Sequence, residues 1–333
     1  MIRLAINGFG RIGRNALKIA MDMPGVEVVA VNDLTDTYTL AHLLKHDSSY
    51  GWYPREVEAD DESITVDGHR VRVVAEGEPS KLPWDELNID VTLECTGFFT
   101  EVERARAHIE AGAKRVIISA PAKGDAKTIV LGVNGEELTV DDEVVSNASC
   151  TTNCIAPVMK VLEESLGVEK AMMTTVHSYT ASQRLQDAPA KDLREARAAA
   201  ENIVPTTTGA SKAAALVVPA LKDRFAGLSV RVPTPVVSLA DITAVVKRDT
   251  SKDEINDIMR EAAEEERFSG ILAVTEEELV SNDFKGSSHS AIVDMQLTDV
   301  IGGNLIKVVA WYDNEWGYAN RLVELAKKVG ELA

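Results

Sequence analysis

A cysteine in the segment Ser146-Asn147-Ala148-Ser149-Cys150-Thr151-Thr152-Asn153-Cys154 has surroundings typical of a covalent catalyst. Val144-Val145 reads as the end of a strand, and the apolar spacing from Ile155 to Leu166 predicts a helix, so Cys150 falls at the turn between them. Unpaired N–H groups at a helix N-terminus lower the pKa of a thiol and stabilise an oxyanion formed by attack on a carbonyl. We therefore predict that Cys150 is a nucleophile.

A histidine that could handle protons for this thiol is His177, which follows the apolar run 171–176. The run predicts a buried strand, and His177 could meet Cys150 in space although the two are distant in sequence. The alternative is that Cys150 is a small core thiol and His177 a hydrogen-bonded strand residue. We favour the catalytic interpretation because small and hydroxyl residues suit close approach of a substrate, and they surround the thiol at Ala148, Ser149, Thr151 and Thr152.

Cys154, one helical turn after Cys150, raises the alternatives of a disulfide or a metal ligand. Only Cys95 remains besides these two, which is too few for a zinc site of four cysteines. The low cysteine count and the lack of a secretory segment favour a reducing compartment. We predict that Cys154 packs within its helix and that the protein holds no metal.

The length and charge of the chain limit its possible functions. Its 333 residues, 45% of them hydrophobic, can form two domains with full cores. No apolar run approaches the roughly 18 to 20 residues that span a bilayer, so we expect a cytoplasmic protein without a membrane partner. The net charge of −18 disfavours nucleic acid as a partner. Anionic ligands must therefore be bound by locally placed arginines or helix N-termini.

The N-terminal segment has the pattern of a dinucleotide-binding fingerprint. A strand at Ile2–Ile6 precedes Gly8, Gly10 and Gly13, and a helix is predicted to continue to about Met23. Gly8 permits the tight turn, Gly10 allows a pyrophosphate to approach the backbone, and Gly13 lets the helix pack on the strand. The N–H groups of that helix would face the phosphates.

Asp33 ends the second predicted strand, Val26–Val31, about 20 residues beyond Gly13, as this fingerprint requires. A carboxylate there accepts hydrogen bonds from a ribose 2′-hydroxyl and repels a 2′-phosphate. Leu34 supplies no basic group that could bind such a phosphate. The sequence therefore predicts NAD as the cofactor in preference to NADP.

Further elements predict an α/β protein with a Rossmann-type, doubly wound NAD-binding domain over residues 1–149. Parallel strands are expected at Val91–Glu94 and Arg115–Ser119, with a helix at Val102–Ala111 between them. Ser63–Val74 reads as a hairpin that turns at Asp67-Gly68.

The remainder predicts an α+β catalytic domain over residues 150–313 with a mostly antiparallel or mixed sheet. Its expected strands are 228–233, 236–247, 290–297 and 305–312, and Ser251–Phe268 is a helix with a capping-box start. The long segment 178–203, with a helix-like piece at Leu193–Ala200, is a candidate functional loop. An amphipathic helix is predicted from Asn314 to Val329, and we expect the C-terminal stretch 314–333 to pack back on the first domain.

Two features of the second domain could bind an anion. The segment 205–212 offers hydroxyl and backbone N–H groups, and Arg231 lies on the strand after the next helix. The alternative is an ordinary turn and a surface charge. Asn314 could hydrogen-bond a carboxamide or could cap the last helix.

Together these segments resemble the phosphorylating glyceraldehyde-3-phosphate dehydrogenase family, bacterial type, over essentially the whole chain. The resemblance rests on residues 7–14, 146–154, 175–180, 205–212, 231–235 and 311–315.

The resemblance implies a homotetramer whose Cys150 forms a thiohemiacetal with glyceraldehyde 3-phosphate. Hydride transfer to NAD then gives a thioester, which inorganic phosphate attacks to give 1,3-bisphosphoglycerate, with His177 as acid and base. The implied contacts of the attacking phosphate are Ser149, Thr151, Thr208 and Gly209. The substrate's own phosphate would contact Thr180 and Arg231. The implied cofactor contacts are Arg11, Ile12, Asp33, Ser119 and Asn314.

Gly77 is a departure from this pattern, because many relatives carry an arginine near the adenine in the segment 75–79. The departure predicts weaker cofactor binding. Erythrose-4-phosphate dehydrogenase remains an alternative, since it shares the fold and the nucleophile. A non-catalytic NAD-binding protein is a second alternative, which the presence of every required chemical group disfavours.

Overall fold

A computed structural model describes residues 1–332 of the chain. Ala333, the last residue of the predicted C-terminal stretch, lies outside the described residues. The chain divides into two compact units. The first contains Met1–Ile129, Glu136–Ala148 and the stretch from Ala319 onward, and the second contains Val130–Gly135 and Ser149–Tyr318. Within residues 1–332, no helix is long and apolar enough to cross a membrane.

The first unit is built on a nine-stranded sheet with the order β10-β11-β9-β8-β1-β2-β7-β6-β5. Its strands from β10 to β7 are parallel, and the β6 and β5 strands join them in antiparallel fashion. This arrangement confirms the predicted doubly wound domain. The strands are β1 Ile2–Asn7, β2 Val26–Asn32, β3 His46–Asp47, β4 Gly51–Trp52, β5 Val57–Ala59, β6 Ser63–Val66, β7 His69–Val74, β8 Val91–Glu94, β9 Arg115–Ile118, β10 Lys127–Thr128 and β11 Val144–Ser146. The helices are α1 Arg11–Ala20, α2 Thr37–Lys45, α3 Val102–Ala105 and α4 Ala107–Glu110.

Two helices of this unit are shorter than the sequence predicts. α1 ends at Ala20 because the amides of Asp22 and Met23 bond three residues back, which tightens the last turn before Pro24. The predicted helix Val102–Ala111 is divided at Arg106, where the amide of Ile109 likewise bonds only three residues back. The predicted hairpin is confirmed, with positive φ at both of its turn residues, Asp67 (46°) and Gly68 (79°).

The second unit is built on an eight-stranded sheet with the order β13-β14-β12-β15-β19-β17-β16, and β18 pairs with β19. Parallel pairing of β12 with β14 and of β16 with β17 is combined with antiparallel pairing elsewhere, which confirms the predicted mixed sheet. The strands are β12 Val168–Ser178, β13 Val204–Thr207, β14 Phe225–Val232, β15 Ser238–Val246, β16 Leu272–Thr275, β17 Ala291–Asp294, β18 Asp299–Ile301 and β19 Leu305–Tyr312. The helices are α5 Cys150–Leu166, α6 Ala210–Val217 and α7 Lys252–Glu264, and α8 Trp316–Gly330 begins in this unit and ends in the first.

Short 3₁₀ turns connect several of these elements. They are Pro79–Lys81, Gly135–Glu137, Pro219–Leu221, Glu266–Phe268, Ser281–Phe284 and Met295–Leu297. The α7 helix therefore ends before Phe268, and the strand predicted over residues 290–297 ends at Asp294. α7 begins as predicted, because the Ser251 side chain accepts from the amide of Glu254.

The prediction of a helix-like piece at Leu193–Ala200 is wrong, since this segment forms turns, a bend and an isolated β-bridge from Ala198 to Arg184. The carboxylate of Asp187 accepts a hydrogen bond from the amide of Ala198 at 3.0 Å and pairs with Arg197 at 2.7 Å. An aspartate side chain that captures a backbone amide competes with the helical hydrogen bond. Periodicity alone does not detect this contact.

Candidate active site

The candidate nucleophile lies at the first position of α5, as the sequence predicts. The Ser149 hydroxyl caps the helix by accepting from the amide of Thr152 at 3.1 Å. Ala148, buried just before it, has a φ of 54°, which residues other than glycine rarely adopt. The turn before α5 is therefore a strained one, and such strain is often found at functional sites.

His177 faces this thiol across a short gap. Its Nε2 lies 3.5 Å from the Cys150 Sγ, within the range for a hydrogen bond to sulfur. The β12 strand carries His177, and its parallel register with β14 places Arg231 directly beside it. The structure thus brings together the predicted nucleophile, Cys150, the predicted base, His177, and the predicted anion ligand, Arg231.

The protonation of the pair differs from the sequence-based expectation. Burial raises the pKa of the Cys150 thiol, and this effect exceeds the opposing influence of the Arg231 guanidinium and of the amides at the start of α5. Burial, together with the positive charge of Arg231, lowers the pKa of His177 to about 3. The amides at the start of α5 lower the thiol pKa, as the sequence predicts, but desolvation is the larger effect and the net shift is upward. At neutral pH the pair consists of a thiol and an uncharged imidazole.

Arg231 has a buried N–H donor that could bind an anion. Its Nη1 contacts the Nδ1 of His177 and lies 3.3 Å from the carbonyl oxygen of Ser178. Its Nε is buried and has no hydrogen-bond partner among the described residues. A buried guanidinium N–H without a partner is costly, so the geometry suits an incoming phosphate. This favours the anion-binding interpretation over a surface charge.

A buried hydroxyl cluster lies behind the nucleophile, and the sequence analysis missed it. The Tyr312 hydroxyl is 2.9 Å from Thr151 Oγ1 and 2.8 Å from Thr175 Oγ1. The Tyr312 ring also meets His177 edge-on, with centroids 6.0 Å apart. No sequence signal pairs these residues, since the contact depends on how β12, β15 and β19 align. The cluster fixes the first turn of α5 and one side of the imidazole.

The remaining predicted phosphate ligands make local contacts. Ser149 Oγ lies 2.8 Å from Thr152 Oγ1, and Thr180 Oγ1 lies 3.0 Å from Ser182 Oγ. Thr208 Oγ1 accepts from the amide of Ala210 at 3.1 Å, at the start of α6. Gly209 precedes that helix, and a Cβ there would meet no atom within 4 Å. The backbone at Gly209 is thus open to a ligand. Among the predicted phosphate-binding hydroxyl groups, that of Thr151 contacts Cys150, with its Oγ1 4.0 Å from the Sγ.

The glycine turn of the first unit has the geometry that the fingerprint predicts. Gly8 has a φ of 92°, and a Cβ there would lie 2.7 Å from the amide nitrogen of Thr96. A Cβ on Gly13 would lie 2.1 Å from the carbonyl oxygen of Gly8, whereas one on Gly10 would meet nothing within 4 Å. Gly8 and Gly13 are required by close packing, and Gly10 leaves space beside the N-terminus of α1.

A cavity of about 470 Å³ adjoins this turn, and Gly8, Gly10 and Asp33 form part of its walls. The Asp33 carboxylate is held by the amides of Phe9 at 3.0 Å and Thr35 at 3.1 Å. Both oxygens keep a further lone pair for ribose hydroxyl groups. The cavity has the size and the acceptor that a nucleotide ribose requires.

Other predicted cofactor residues lie outside these walls. The Arg11 guanidinium pairs with the buried carboxylate of Asp47 at 2.6 Å, so Arg11 can offer a phosphate chiefly its backbone N–H. Ile12 follows it in α1 and is half-buried. The side chain of Ser119 hydrogen-bonds the Cys95 thiol, whose pKa burial raises to about 12.

The walls of the cavity also include the segment that the resemblance places near the adenine, and one residue, Arg104, that the sequence did not single out. Glu76, Gly77 and Pro79 line one part of it, in agreement with the expected lack of an arginine at Gly77. Arg104 is a basic residue in the same walls, with its guanidinium 4.8 Å from the centre of the Phe99 ring. A positive charge is thus present in the cavity, although it comes from a different part of the sequence.

Asn314 does not cap the last helix, so that alternative is wrong. Asp313 Oδ1 takes this role by accepting from the amides of Glu315 at 3.0 Å and Trp316 at 2.8 Å. The Asn314 Oδ1 instead accepts from the Ser238 hydroxyl at 3.0 Å. This contact fixes the orientation of the amide.

The two other cysteines have no visible catalytic partner. Cys154 is fully buried, and burial raises its pKa well above the usual value. All three cysteines are free thiols. Over residues 1–332 no group of three or more His, Cys, Asp or Glu side chains could hold a metal ion.

Comparison with known proteins gives matches along the whole chain. Residues 2–102 match a family described as glyceraldehyde 3-phosphate dehydrogenase, NAD binding domain, and residues 149–314 match the corresponding C-terminal domain. The chain is 52% identical to a glyceraldehyde-3-phosphate dehydrogenase of Borreliella burgdorferi, with 98% of this chain and 99% of the relative covered. It is 53% identical to the enzyme of that name from Geobacillus stearothermophilus, with 98% and 97% covered. A Streptomyces coelicolor protein of the same name is 51% identical, with 99% and 98% covered.

Proposed function

The chain belongs to the glyceraldehyde 3-phosphate dehydrogenase family, and from this premise we propose the course of its reaction and the residues that carry it. It is an NAD-dependent oxidoreductase of glycolysis that acts on glyceraldehyde 3-phosphate. The proposed reaction joins oxidation of the aldehyde to capture of inorganic phosphate and yields 1,3-bisphosphoglycerate. The observation that carries this proposal is the 3.5 Å approach of Cys150 Sγ and His177 Nε2 at the start of α5.

The first unit has groups that fit the cofactor. The open backbone at Gly10 and the first-turn amides of α1 suit the pyrophosphate, and Asp33 suits the adenosine ribose. When bound, NAD accepts a hydride from the substrate and so takes up the two electrons of the oxidation. We propose that Gly8, Gly10, Gly13, Arg11, Ile12, Asp33 and Ser119 hold or shape this site, and that Asn314 binds the nicotinamide carboxamide.

In the first proposed step the Cys150 sulfur attacks the aldehyde carbon of the substrate. A C–S bond forms, the carbonyl π bond breaks, and the thiol proton passes to His177 Nε2. Nδ1 lies 2.7 Å from the carbonyl of Ser178, which can only accept a hydrogen bond, and it also contacts the Arg231 guanidinium, which can only donate one. We propose that the contact with Ser178 determines the tautomer, so that Nδ1 is protonated and Nε2 is the base. The first-turn amides of α5 stabilise the developing oxyanion.

The protonated His177 then returns its proton to the oxyanion, which gives the hydroxyl of the thiohemiacetal and a neutral imidazole. In the second step the thiohemiacetal loses its hydride, and its hydroxyl proton passes to the neutral His177 as the thioester forms. In the third step an oxygen of inorganic phosphate attacks the thioester carbon, and the C–S bond breaks. The leaving sulfur regains a proton from the imidazolium of His177. Each transfer uses the same Nε2, which is within hydrogen-bond reach of the sulfur.

Two phosphate groups must be neutralised near this thiol, and the net charge of −18 makes local donors necessary. Arg231 supplies a guanidinium with a free buried Nε, and we propose that it binds the phosphate of the substrate together with Thr180. We propose that Ser149, Thr151, Thr208 and Gly209 contact the attacking phosphate. Thr151 would have to share its hydroxyl with Tyr312, to which it is bonded.

The second unit also supports the proposal of a homotetramer. Large apolar side chains on its sheet and loops are exposed, among them Met172 at 72% and Leu305 at 37%, and they border a shallow cavity of about 740 Å³. Leu185 and Leu193, in the segment 178–203, are more than four-fifths exposed. Exposed apolar patches of this kind indicate contact surfaces. We further propose a cytoplasmic location, in which the free thiols stay reduced.

An assay of NADH formation tests this function. Glyceraldehyde 3-phosphate should give sustained NADH production only when NAD and inorganic phosphate are both present, since phosphate is needed to release the acyl group. Erythrose 4-phosphate should be the poorer substrate. Faster, phosphate-independent oxidation of erythrose 4-phosphate would contradict the proposal and favour erythrose-4-phosphate dehydrogenase.

A further inference from the structure

A buried carboxylate lies next to the dinucleotide cavity of the first unit. The Glu94 side chain, at the end of β8, is 1% exposed. Its Oε1 accepts from the amide of Thr96 at 2.8 Å and from the Thr96 hydroxyl. Its Oε2 accepts from the amide group of Asn7 and lies 3.1 Å from His108 Nε2. A carboxylate removed from water needs such partners, and none of these contacts has a role in the proposed reaction.

The proton position on His108 follows from a residue on its other side. The indole Nε1 of Trp84 lies 3.0 Å from His108 Nδ1, and both residues are fully buried. An indole N–H can only donate, so Nδ1 is the acceptor and carries no proton. The ring proton is then on Nε2, which lies 3.1 Å from Glu94 Oε2 and 3.3 Å from Asn7 Nδ2. It points to Glu94, because the amide nitrogen of Asn7 cannot accept a hydrogen bond.

The direction of the Thr96 hydroxyl follows by the same reasoning. The backbone amide of Phe98 donates to Thr96 Oγ1 at 3.1 Å. The hydroxyl therefore accepts this bond and has its own hydrogen available for Glu94. Both hydrogen bonds to Glu94 Oε1 are thus donated by Thr96.

Hydrogen bonds through Asn32 determine which end of the Asn7 side chain faces Glu94. The amide of Glu76 donates to Asn32 Oδ1 at 2.9 Å, so the nitrogen end of the Asn32 side chain faces Asn7. It donates to Asn7 Oδ1 at 2.7 Å, which leaves Asn7 Nδ2 to donate to Glu94. The four hydrogens that Thr96, Asn7 and His108 present are all directed at the carboxylate, and among the described residues no acceptor is recorded beside it.

Asn7, Asn32 and Thr96 are also walls of the cavity. Thr96 packs so closely on the glycine turn that a Cβ at Gly8 would lie 2.7 Å from its amide nitrogen. We propose that Glu94 is a positioning residue for the cofactor: with His108 and Trp84 behind it, its carboxylate holds Asn7 and Thr96 in the shape that binds the dinucleotide. This inference rests on the proposed placement of NAD in this cavity.

The test measures the dissociation constant for NAD by calorimetry on the full-length protein, together with the unfolding midpoint without NAD. Glu94→Gln keeps the shape but turns an N–H₂ group toward existing donors, and it should raise the dissociation constant about 10-fold or more, the scale of a lost charged hydrogen bond. Thr96→Val should weaken NAD binding in the same direction, and Thr96→Ser, which keeps the hydroxyl, should recover most of that loss. A folded Glu94→Gln protein with unchanged NAD affinity would overturn the inference. So would equal losses in Thr96→Val and Thr96→Ser.

A double variant separates positioning from general destabilisation. Trp84→Phe removes the indole N–H, which frees His108 to place its proton on Nδ1 and to accept from the new amide in Glu94→Gln. The double variant should therefore bind NAD no more weakly than Glu94→Gln alone, whereas a purely structural role predicts that the two losses multiply. Multiplied losses would contradict the network. If the wild-type protein itself failed to bind NAD, the proposed function would fail instead, which distinguishes the two outcomes.

Discussion

Arg231 and His177 are register partners on the parallel strands β14 and β12, and the guanidinium contacts the ring nitrogen opposite the one that faces Cys150. This contact places a fixed positive charge beside the imidazole. Together with burial, it keeps His177 neutral, with a pKa lowered to about 3. The same arginine has a buried Nε without a partner among the described residues. Arg231 therefore links phosphate binding to the protonation of the base.

Replacing Arg231 with leucine should weaken the binding of both phosphates. A lost charged hydrogen bond is worth roughly 1.5 to 3 kcal/mol, or about 10- to 150-fold in affinity. The Michaelis constants for glyceraldehyde 3-phosphate and for inorganic phosphate should rise, whereas NAD affinity should stay nearly constant. Arg248→Leu, which removes an exposed arginine, is the matched control and should leave these constants unchanged. A change in NAD affinity alone would show that Arg231 does not serve the substrate.

Replacing His177 with asparagine should slow acylation roughly 10²- to 10⁴-fold, the usual contribution of general acid–base catalysis. Because the thiol is uncharged in the folded protein, it depends on His177 to remove its proton, and the variant should also react more slowly with an alkylating agent at neutral pH. Rapid-quench measurement of acylation and the alkylation rate of Cys150 both check this. An unchanged alkylation rate and pH profile would show that His177 does not act as the base for Cys150.

The neutral state of His177 should make the protein sensitive to acid. Its folded pKa of about 3 is below the ordinary value of 6.5, so between these values the unfolded chain binds more protons than the folded one. Stability is then complete above about pH 6.5 and falls as the pH is lowered toward 3, by about 2 kcal/mol at pH 5.

Unfolding free energies of His177→Asn at pH 7.5 and pH 5 test this linkage. The variant should lose less stability than the wild type over that interval, because asparagine does not titrate. His42→Asn, which replaces an exposed histidine on α2, is the control and should behave as the wild type does. Equal acid sensitivity of the wild type and His177→Asn would contradict a buried neutral imidazole.

Replacing Asp33 with serine should shift cofactor preference toward NADP. The carboxylate accepts hydrogen bonds from two amides and stands in the cavity wall, where it would repel a 2′-phosphate. The ratio of the NAD and NADP dissociation constants is the quantity to measure, since both cofactors are expected to bind weakly. An unaltered ratio would show that Asp33 does not face the ribose.

The sequence predicts the elements and the chemical groups of the site better than their electrostatics. The glycine turn, Asp33 and the Cys150 turn all depend on local backbone geometry, which a short motif determines. The pKa of Cys150 depends also on burial by the whole unit, which outweighs the lowering by the α5 amides that the sequence predicts.

Contacts between distant segments were missed for a related reason. The bonds of Tyr312 to Thr151 and Thr175 require the alignment of separate strands. In the same way, Asp187 captures an amide of the segment predicted to be helical. Neither contact leaves a periodic pattern in the sequence.

The central claim is that Cys150 carries the acyl group during turnover, and a single-turnover experiment without phosphate tests it most directly. Rapid mixing of the enzyme with NAD and glyceraldehyde 3-phosphate should give a burst of one NADH per subunit and an acyl adduct on Cys150, detected by mass spectrometry. Added phosphate should release the adduct and restore turnover, and Cys150→Ser should bind NAD but give no burst. A burst of full size in Cys150→Ser, or an adduct on another residue, would contradict the account.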